Sequence, residues 1–460
     1  METGPDPQST LNRRHLLGGA LAAGGAAVLA GPAGALAAPK DAKGKGTPPG
    51  KGANEKRPAT VFFKEPALNF QMLFALGAAG YGASETGEVL ATFDRVHGKG
   101  DTYRATFEEF QRLGRQVRRR ADRDRDAGRT VSARSGYLRA AMYLDQALFY
   151  VLASSRPTRA HEGALYREME SAWAGAAALF DPAFEPVEIA WSGGKLPGWF
   201  LSPGGDTRRP TVILNTGSDA QTIDMYVYGG AAALERGWNA LIFEGPGQGA
   251  NLFLRNQAFI PEWEKVITPV VDFLRAHPKV DRDRISLVGQ SFGGYLTARA
   301  AVHEHRLAGL VPDPGVVDVF SDWRQELPPA LLELLAAGRR AEFNRIWNGI
   351  PKELPEAKRV GLAKRAEIYG QVDGFEKMKL AQRFVLSREE ARRITTPTAI
   401  LSPELEQFFP GQPETLHGWL QAPSTLIRFT VAEGAEYHCE PMAPQLRNER
   451  VFDWLETHAK

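Results

Sequence analysis

One cysteine, Cys439, in 460 residues excludes an internal disulfide and any multi-cysteine metal site. Net charge is also nearly absent. At a formal +2, the chain has no overall field to draw nucleic acid or an anionic membrane, so neither is expected as a partner. The glycine-rich segment Glu244-Gly245-Pro246-Gly247-Gln248-Gly249 lacks the lysine of a phosphate-binding loop and the strand–GxGxxG–helix setting of a dinucleotide site. No cofactor and no metal are therefore expected. With 43% apolar and 24% charged residues, the composition is that of a globular protein rather than a disordered chain or a membrane bundle.

The uncharged stretch from Leu16 to Ala30 falls short of the roughly 20 residues of a spanning helix. It follows Asn12-Arg13-Arg14-His15, a twin-arginine pair, and precedes Ala35-Leu36-Ala37, a small-x-small step suited to signal peptidase. Residues 1–37 thus read as a Tat signal cleaved after Ala37, which makes the protein exported and free of the membrane once cut. A chain that crosses folded and needs no disulfide fits that route. Residues 38–58, rich in Lys, Gly and Pro, cannot bury enough apolar surface to order themselves and read as a flexible tether.

From residue 59 to 181 the pattern is helical. Tyr137, Ala141, Leu144, Leu148 and Leu152 recur near every 3.6 residues, so this is an accessory helical domain. The mixed charges of Arg118 to Asp126 cancel in field and read as a solvated helix end. At Phe184 the texture changes. Val187–Trp191 and Gly198–Leu201 flank a Ser192-Gly193-Gly194 turn, a hairpin. Short unbroken apolar runs then alternate with helical patterns: Thr211–Leu214, Ala240–Phe243, Ile285–Val288, Leu307–Val311, Thr398–Leu401 and Leu426–Phe429. Runs without polar alternation suit strands buried on both faces, which implies an eight-stranded, mostly parallel sheet flanked by helices. Residues 318–395 interrupt this rhythm with helical patterns alone, and Ser387-Arg388-Glu389-Glu390 is a capping box. The sheet domain is then residues 182–317 and 396–460.

Gly289-Gln290-Ser291-Phe292-Gly293 follows the run Ile285–Val288 and opens a helical stretch. A serine on a tight strand-to-helix turn needs small residues two before and two after it, so that the chain can fold back. This setting resembles the nucleophile elbow of α/β-hydrolases, where a helical insertion after the sixth strand commonly forms a lid. A serine nucleophile needs a base, and in that pattern the chain order is serine, acid, histidine. His303 and His305 precede the sixth strand, His417 falls in a helical pattern and His458 in the final helix. His438 lies in the loop after the last strand, where the base is expected. The acid belongs a few residues past Thr398–Leu401, in Ser402-Pro403-Glu404-Leu405-Glu406, where there is no aspartate. The register selects Glu406, with Glu404 second and Asp313, at the end of the sixth strand, as a rival. The oxyanion donors are expected to be the N–H of Phe292 and, from Asn215-Thr216-Gly217-Ser218-Asp219, that of Ser218.

The order of Ser132-Ala133-Arg134, Tyr143, the Gly217-Ser218-Asp219 loop, Glu244 to Gly249, the elbow, and Gly434-Ala435 ahead of His438-Cys439 resembles one α/β-hydrolase group. That group includes 2,6-dihydroxypseudooxynicotine hydrolase and the fungal polyketide-shortening pigment hydrolases. It implies a serine hydrolase, esterase-like or a C–C hydrolase, cleaving an ester, an amide or a ketone-adjacent carbon–carbon bond of a small molecule. Trp323, Phe343 and Trp347 suggest an apolar or aromatic substrate, although core is the first reading for any one of them. Acyl transfer or elimination in natural-product metabolism, an inactive binding protein on the same fold, and a homodimer all remain open at this stage.

Overall fold

The computed structural model describes residues 61–350 and 354–459; the twin-arginine leader and the tether lie outside the described residues. Five helices come first: α1 (Pro66–Gly77), α2 (Thr86–His97), α3 (Tyr103–Asp126), α4 (Thr130–Phe149) and α5 (Arg159–Ala177). Local chemistry sets their starts. Thr102 accepts the N–H of Ala105 at 3.0 Å to begin α3, and Thr158 accepts that of His161 at 3.2 Å to begin α5. The mixed-charge run closes α3, and Asp124 there pairs with Arg129 at 2.6 Å.

Eight strands follow: β1 (Glu185–Trp191), β2 (Gly194–Leu201), β3 (Arg209–Asn215), β4 (Asn239–Phe243), β5 (Val280–Gln290), β6 (Gly309–Asp313), β7 (Thr398–Pro403) and β8 (Ser424–Phe429). They form one sheet in the order β1-β2-β4-β3-β5-β6-β7-β8. The β1–β2 and β2–β4 pairs are antiparallel; the rest are parallel. Every residue of β4, β6 and β7 is buried, as the unbroken apolar runs require.

Most strands run past the apolar stretches expected from the sequence, and β2 takes in Gly194 of the expected turn. The fifth strand begins at Val280, which pairs with Arg209; a register shift then carries β5 past the charged residues Asp281 to Arg284 before pairing with β3 resumes at Ile285. The sixth is shifted forward and runs through Pro312 to Asp313. Its pairing with β7 is confined to Leu310↔Thr398, and Leu310 donates to Pro397 on that side. The imide of Pro312 faces the same side two residues on, where no ladder bond is lost.

Between the strands lie α6 (Thr222–Met225), α7 (Ala231–Glu235), α8 (Gly249–Phe253), α9 (Glu264–Ala276) and α10 (Phe292–Ala301). The interval between β6 and β7 holds α11 (Phe320–Glu326), α12 (Pro329–Ala336), α13 (Arg340–Trp347), α14 (Glu356–Glu367), α15 (Gly374–Ala381) and α16 (Arg388–Ala391). Of these, α11 and α15 had no clear signal in the sequence. The box at Ser387 caps α16, with Glu390 Oε2 accepting the Ser387 N–H at 2.9 Å. Helices α17 (Gln412–Trp419) and α18 (Pro444–His458) complete the chain.

The first five helices pack on the sheet through α5. Trp173 is fully buried, its ring 6.1 Å from Trp199 of β2 and 5.6 Å from Tyr226. Tyr166 donates its hydroxyl to the buried Glu244 carboxylate at 2.8 Å. That carboxylate also accepts the Ala250 N–H at 2.8 Å, so Glu244 ties the loop after β4 to α5.

Candidate active site

The register of the sheet builds the site. Gly289 of β5 pairs with Asn215 of β3, and Gln290 with Asp313 of β6. The carboxyl ends of three neighbouring strands therefore meet at one point, where the chain turns into α10. Ser291 sits at that turn with φ 60° and ψ −126°, outside the regions an L-residue prefers. The turn is held from both sides: the Ser291 N–H donates to Asp313 O at 2.6 Å, and the Gly294 N–H to Ser291 O at 2.8 Å.

The flanking glycines are required by space. A Cβ at Gly289 would lie 2.2 Å from Gly293 O, and one at Gly293 would lie 2.8 Å from Asn215 O. The loop after β3 presses against the same turn: a Cβ at Gly217 would lie 2.8 Å from Ser291 Cβ and 3.0 Å from Phe292 N. Gln248 pins that loop, donating to Thr216 O at 2.7 Å while accepting the Gly245 N–H at 2.8 Å. Phe292 offers the first N–H of α10, a group with no intrahelical partner. Ser218 is partly exposed beside it, its hydroxyl donating to Asp219 Oδ2 at 2.8 Å, which leaves its N–H as the candidate donor.

His438 comes from the loop after β8, 147 residues beyond the serine, and its Nε2 lies 2.9 Å from Ser291 Oγ. Its Nδ1 lies 2.9 and 2.8 Å from the two carboxylate oxygens of Glu406. Glu406 Oε1 also accepts the N–H groups of Phe408 and Phe409, at 2.9 and 3.0 Å, which fixes the carboxylate. Gln407 Oε1 accepts the His438 N–H at 3.1 Å. Burial opposes the charged imidazole, but the carboxylates of Glu406, Asp313 and Asp322 outweigh it, and His438 is held above its ordinary value.

The structure brings together Ser291, His438 and Glu406. It does not bring Glu404 or Asp313 to the imidazole as its hydrogen-bond partner. Glu404 is exposed and accepts the Val431 N–H at 2.9 Å. Asp313 is fully buried, and its Oδ2 accepts from Arg447 Nε at 2.9 Å. Of the other histidines, His417 bonds Ser424 and His458 bonds Trp454 O.

Trp323, Phe343 and Trp347 pack with one another inside the insertion, Trp323 and Phe343 each within 6.2 Å of Trp347. Two rings pack against the imidazole, Phe408 at 4.8 Å and Phe409 at 5.9 Å from His438. Arg365 of α14 lies over the Phe408 ring at 5.5 Å and pairs with Asp322 at 3.0 Å, so the insertion brings charge to the mouth of the site.

A family model described as esterase FrsA-like matches residues 125–342. Hydrolase LUC6 of a Fusarium species is 29% identical, over 86% of this chain and 97% of its own length. The hydrolyase poxO of Penicillium oxalicum is 30% identical, over 63% of this chain and 69% of its own. Among solved structures, 2,6-dihydroxy-pseudo-oxynicotine hydrolase superposes with a TM-score of 0.64 at 21% identity, covering 83% of this chain and 95% of that one. The protein is an esterase-like hydrolase of the α/β fold. It belongs to the α/β-hydrolase family, in the group that holds these fungal hydrolases.

Proposed function

We propose that the protein is a serine hydrolase in which Ser291 attacks a carbonyl carbon and His438 takes the serine proton at Nε2. Glu406 keeps the proton of the imidazole on Nδ1 and stabilises the imidazolium that forms. The N–H groups of Phe292 and Ser218 receive the charge that develops on the carbonyl oxygen. His438 then returns its proton to the leaving group, and water, deprotonated by the same imidazole, releases the acyl group from Ser291. The observation that carries this reading is the unbroken chain of contacts from hydroxyl through imidazole to carboxylate, each at hydrogen-bond length.

The substrate is a small acyl compound (ester, amide or β-ketone) whose body lies against Phe408. One relative is named for a hydroxylated compound, 20-hydroxy-prefusarin hydrolase, which favours a substrate carrying a hydroxyl group, and Arg365 gives such a group a counterpart. The twin-arginine leader exports the folded chain. A fluorophosphonate probe and a panel of p-nitrophenyl esters and β-ketones test the reading, with Ser291→Ala as the blank. Labelling at Ser291 and turnover of an ester or ketone are expected. A folded wild type that takes no probe is instead a binding protein on a hydrolase fold.

A further inference from the structure

Behind the imidazole lies a second group of ionisable side chains that the reaction does not use. Asp313, Glu440 and Arg447 are each fully buried. Arg447 of α18 donates from Nε to Asp313 Oδ2 at 2.9 Å and from Nη1 to Tyr228 O at 2.9 Å. Asn448 beside it donates to Val227 O at 2.8 Å, so this end of α18 is anchored against the turn before α7. Asp313 in turn touches both halves of the catalytic pair: its carbonyl accepts the Ser291 N–H at 2.6 Å and lies 3.6 Å from the Cys439 thiol, next to His438. The backbone following the histidine is left-handed at two successive non-glycine residues, Cys439 (φ 59°) and Glu440 (φ 47°), a conformation that surrounding contacts must impose.

The charges do not balance as carboxylates. The guanidinium pairs with Asp313 alone in a space closed to water, and among the described residues Asp313 Oδ1, both oxygens of Glu440 and Arg447 Nη2 find no hydrogen-bond partner. A single proton on Glu440, donated to Asp313, removes the surplus charge and lets the two carboxyl groups bond each other, which two carboxylates cannot do. Burial pushes the Glu440 carboxyl well above the usual range, Asp313 pushes it further, and Arg447 opposes both. Further groups whose charge reaches this cluster are Glu406, His438, Cys439, Tyr228 and, on the Arg447 side, Tyr81.

We infer that Glu440 is a neutral positioning residue, whose carboxylic hydrogen bond to Asp313 holds the strained His438-Cys439-Glu440 segment in register with Ser291. The inference rests on the proposed role of His438 as base. Glutamine at this position keeps a donor and carries no charge; leucine keeps the bulk and has no donor.

The second-order rate of Ser291 labelling by a fluorophosphonate, measured from pH 5 to 9, reads both properties. Glu440→Leu is expected to label about tenfold more slowly or worse, because a small displacement of the base is costly. Glu440→Gln is expected to restore the rate to within about threefold, with its acid limb superimposed on that of the wild type. Asp313→Asn, which removes a true negative charge near the imidazole, should move the limb to lower pH by about half a unit or more. A limb that shifts down in Glu440→Gln as it does in Asp313→Asn would mean that Glu440 is ionised, and the inference fails. It fails equally if glutamine is as slow as leucine, or if leucine matches the wild type. Titration of the His438 ring by NMR in the same variants gives the shift without any reaction at the serine. A wild type that takes no probe thus counts against the proposed function alone.

Discussion

Replacing Glu406 by glutamine separates a hydrogen-bonding role from an electrostatic one at a single atom. The amide oxygen can keep the N–H groups of Phe408 and Phe409, which now reach Glu406 Oε1 at 2.9 and 3.0 Å. Its NH2 group then occupies the place of Oε2 and points at His438 Nδ1, 2.8 Å away. An Nδ1–H could keep the amide oxygen, 2.9 Å away, only by sharing it with two backbone donors and facing the NH2 group; the imidazole is therefore driven to carry its proton on Nε2, opposite a serine hydroxyl 2.9 Å away. In that tautomer it cannot accept the serine proton. The equivalent change in serine proteases lowers turnover about 10⁴-fold, or about 5.5 kcal/mol of barrier, and the same loss is expected here. Stability should fall by only about 1 kcal/mol, because both backbone bonds survive. The assay is the rate of fluorophosphonate labelling at pH 8, with a thermal melt to show that the fold persists. Glu404→Gln serves as control and should stay within about twofold, since that carboxylate only caps Val431. A Glu406→Gln protein within tenfold of the wild type, or a Glu404→Gln protein equally crippled, would refute the assignment.

Gly289→Ala places a methyl group 2.2 Å from Gly293 O and 2.5 Å from Thr297 Oγ1, so the melt should show a loss of about 3 kcal/mol or more, together with loss of labelling. Because carboxylates hold His438 above its ordinary value, labelling should rise with pH and reach half its plateau above the pH typical of a free imidazole; a half-point below it would contradict the burial and pairing described. Burial pushes Glu170 of α5 up to about 8, with Glu244 adding to the effect. Its folded form therefore binds a proton that the unfolded chain gives up, and stability is lost as pH rises towards the folded value. Glu170→Gln should remove that loss, leaving the variant more stable than the wild type by on the order of 2 kcal/mol at pH 9 and nearly equal at pH 5; parallel melting curves at both pH values would disprove it.

Sequence alone carried the sheet and the strained serine turn, for identifiable physical reasons. Strands buried on both faces leave unbroken apolar runs, and a serine elbow leaves glycines at fixed offsets, here Gly289 and Gly293. The acid was harder to read because three carboxyl groups, at positions 313, 404 and 406, share the right end of the sheet. What separates them is direction: Glu404 turns to a backbone N–H, Asp313 to Arg447, and Glu406 to the imidazole. Spacing does not encode direction. Arg447 had a faint signal, since it shares the buried stripe of α18 with Val451 and Leu455, where an arginine is out of place. Gln248 and Phe408 had none, because they act through a loop carbonyl and a ring face. Trp323, Phe343 and Trp347 pack together as the core reading expects, because a small helical insertion must build its own core from large side chains before it can cover anything.

The contact between α5 and the sheet also limits how this protein can be cut down. Without its first five helices the molecule would bare Trp199 and Tyr226 and strip the phenol from Glu244, stranding an acid inside an oily wall. The catalytic half is therefore no independent module to be borrowed for engineering. Any attempt to graft, shorten or swap it has to carry the helices of residues 66–177 along, as a keel goes with a hull.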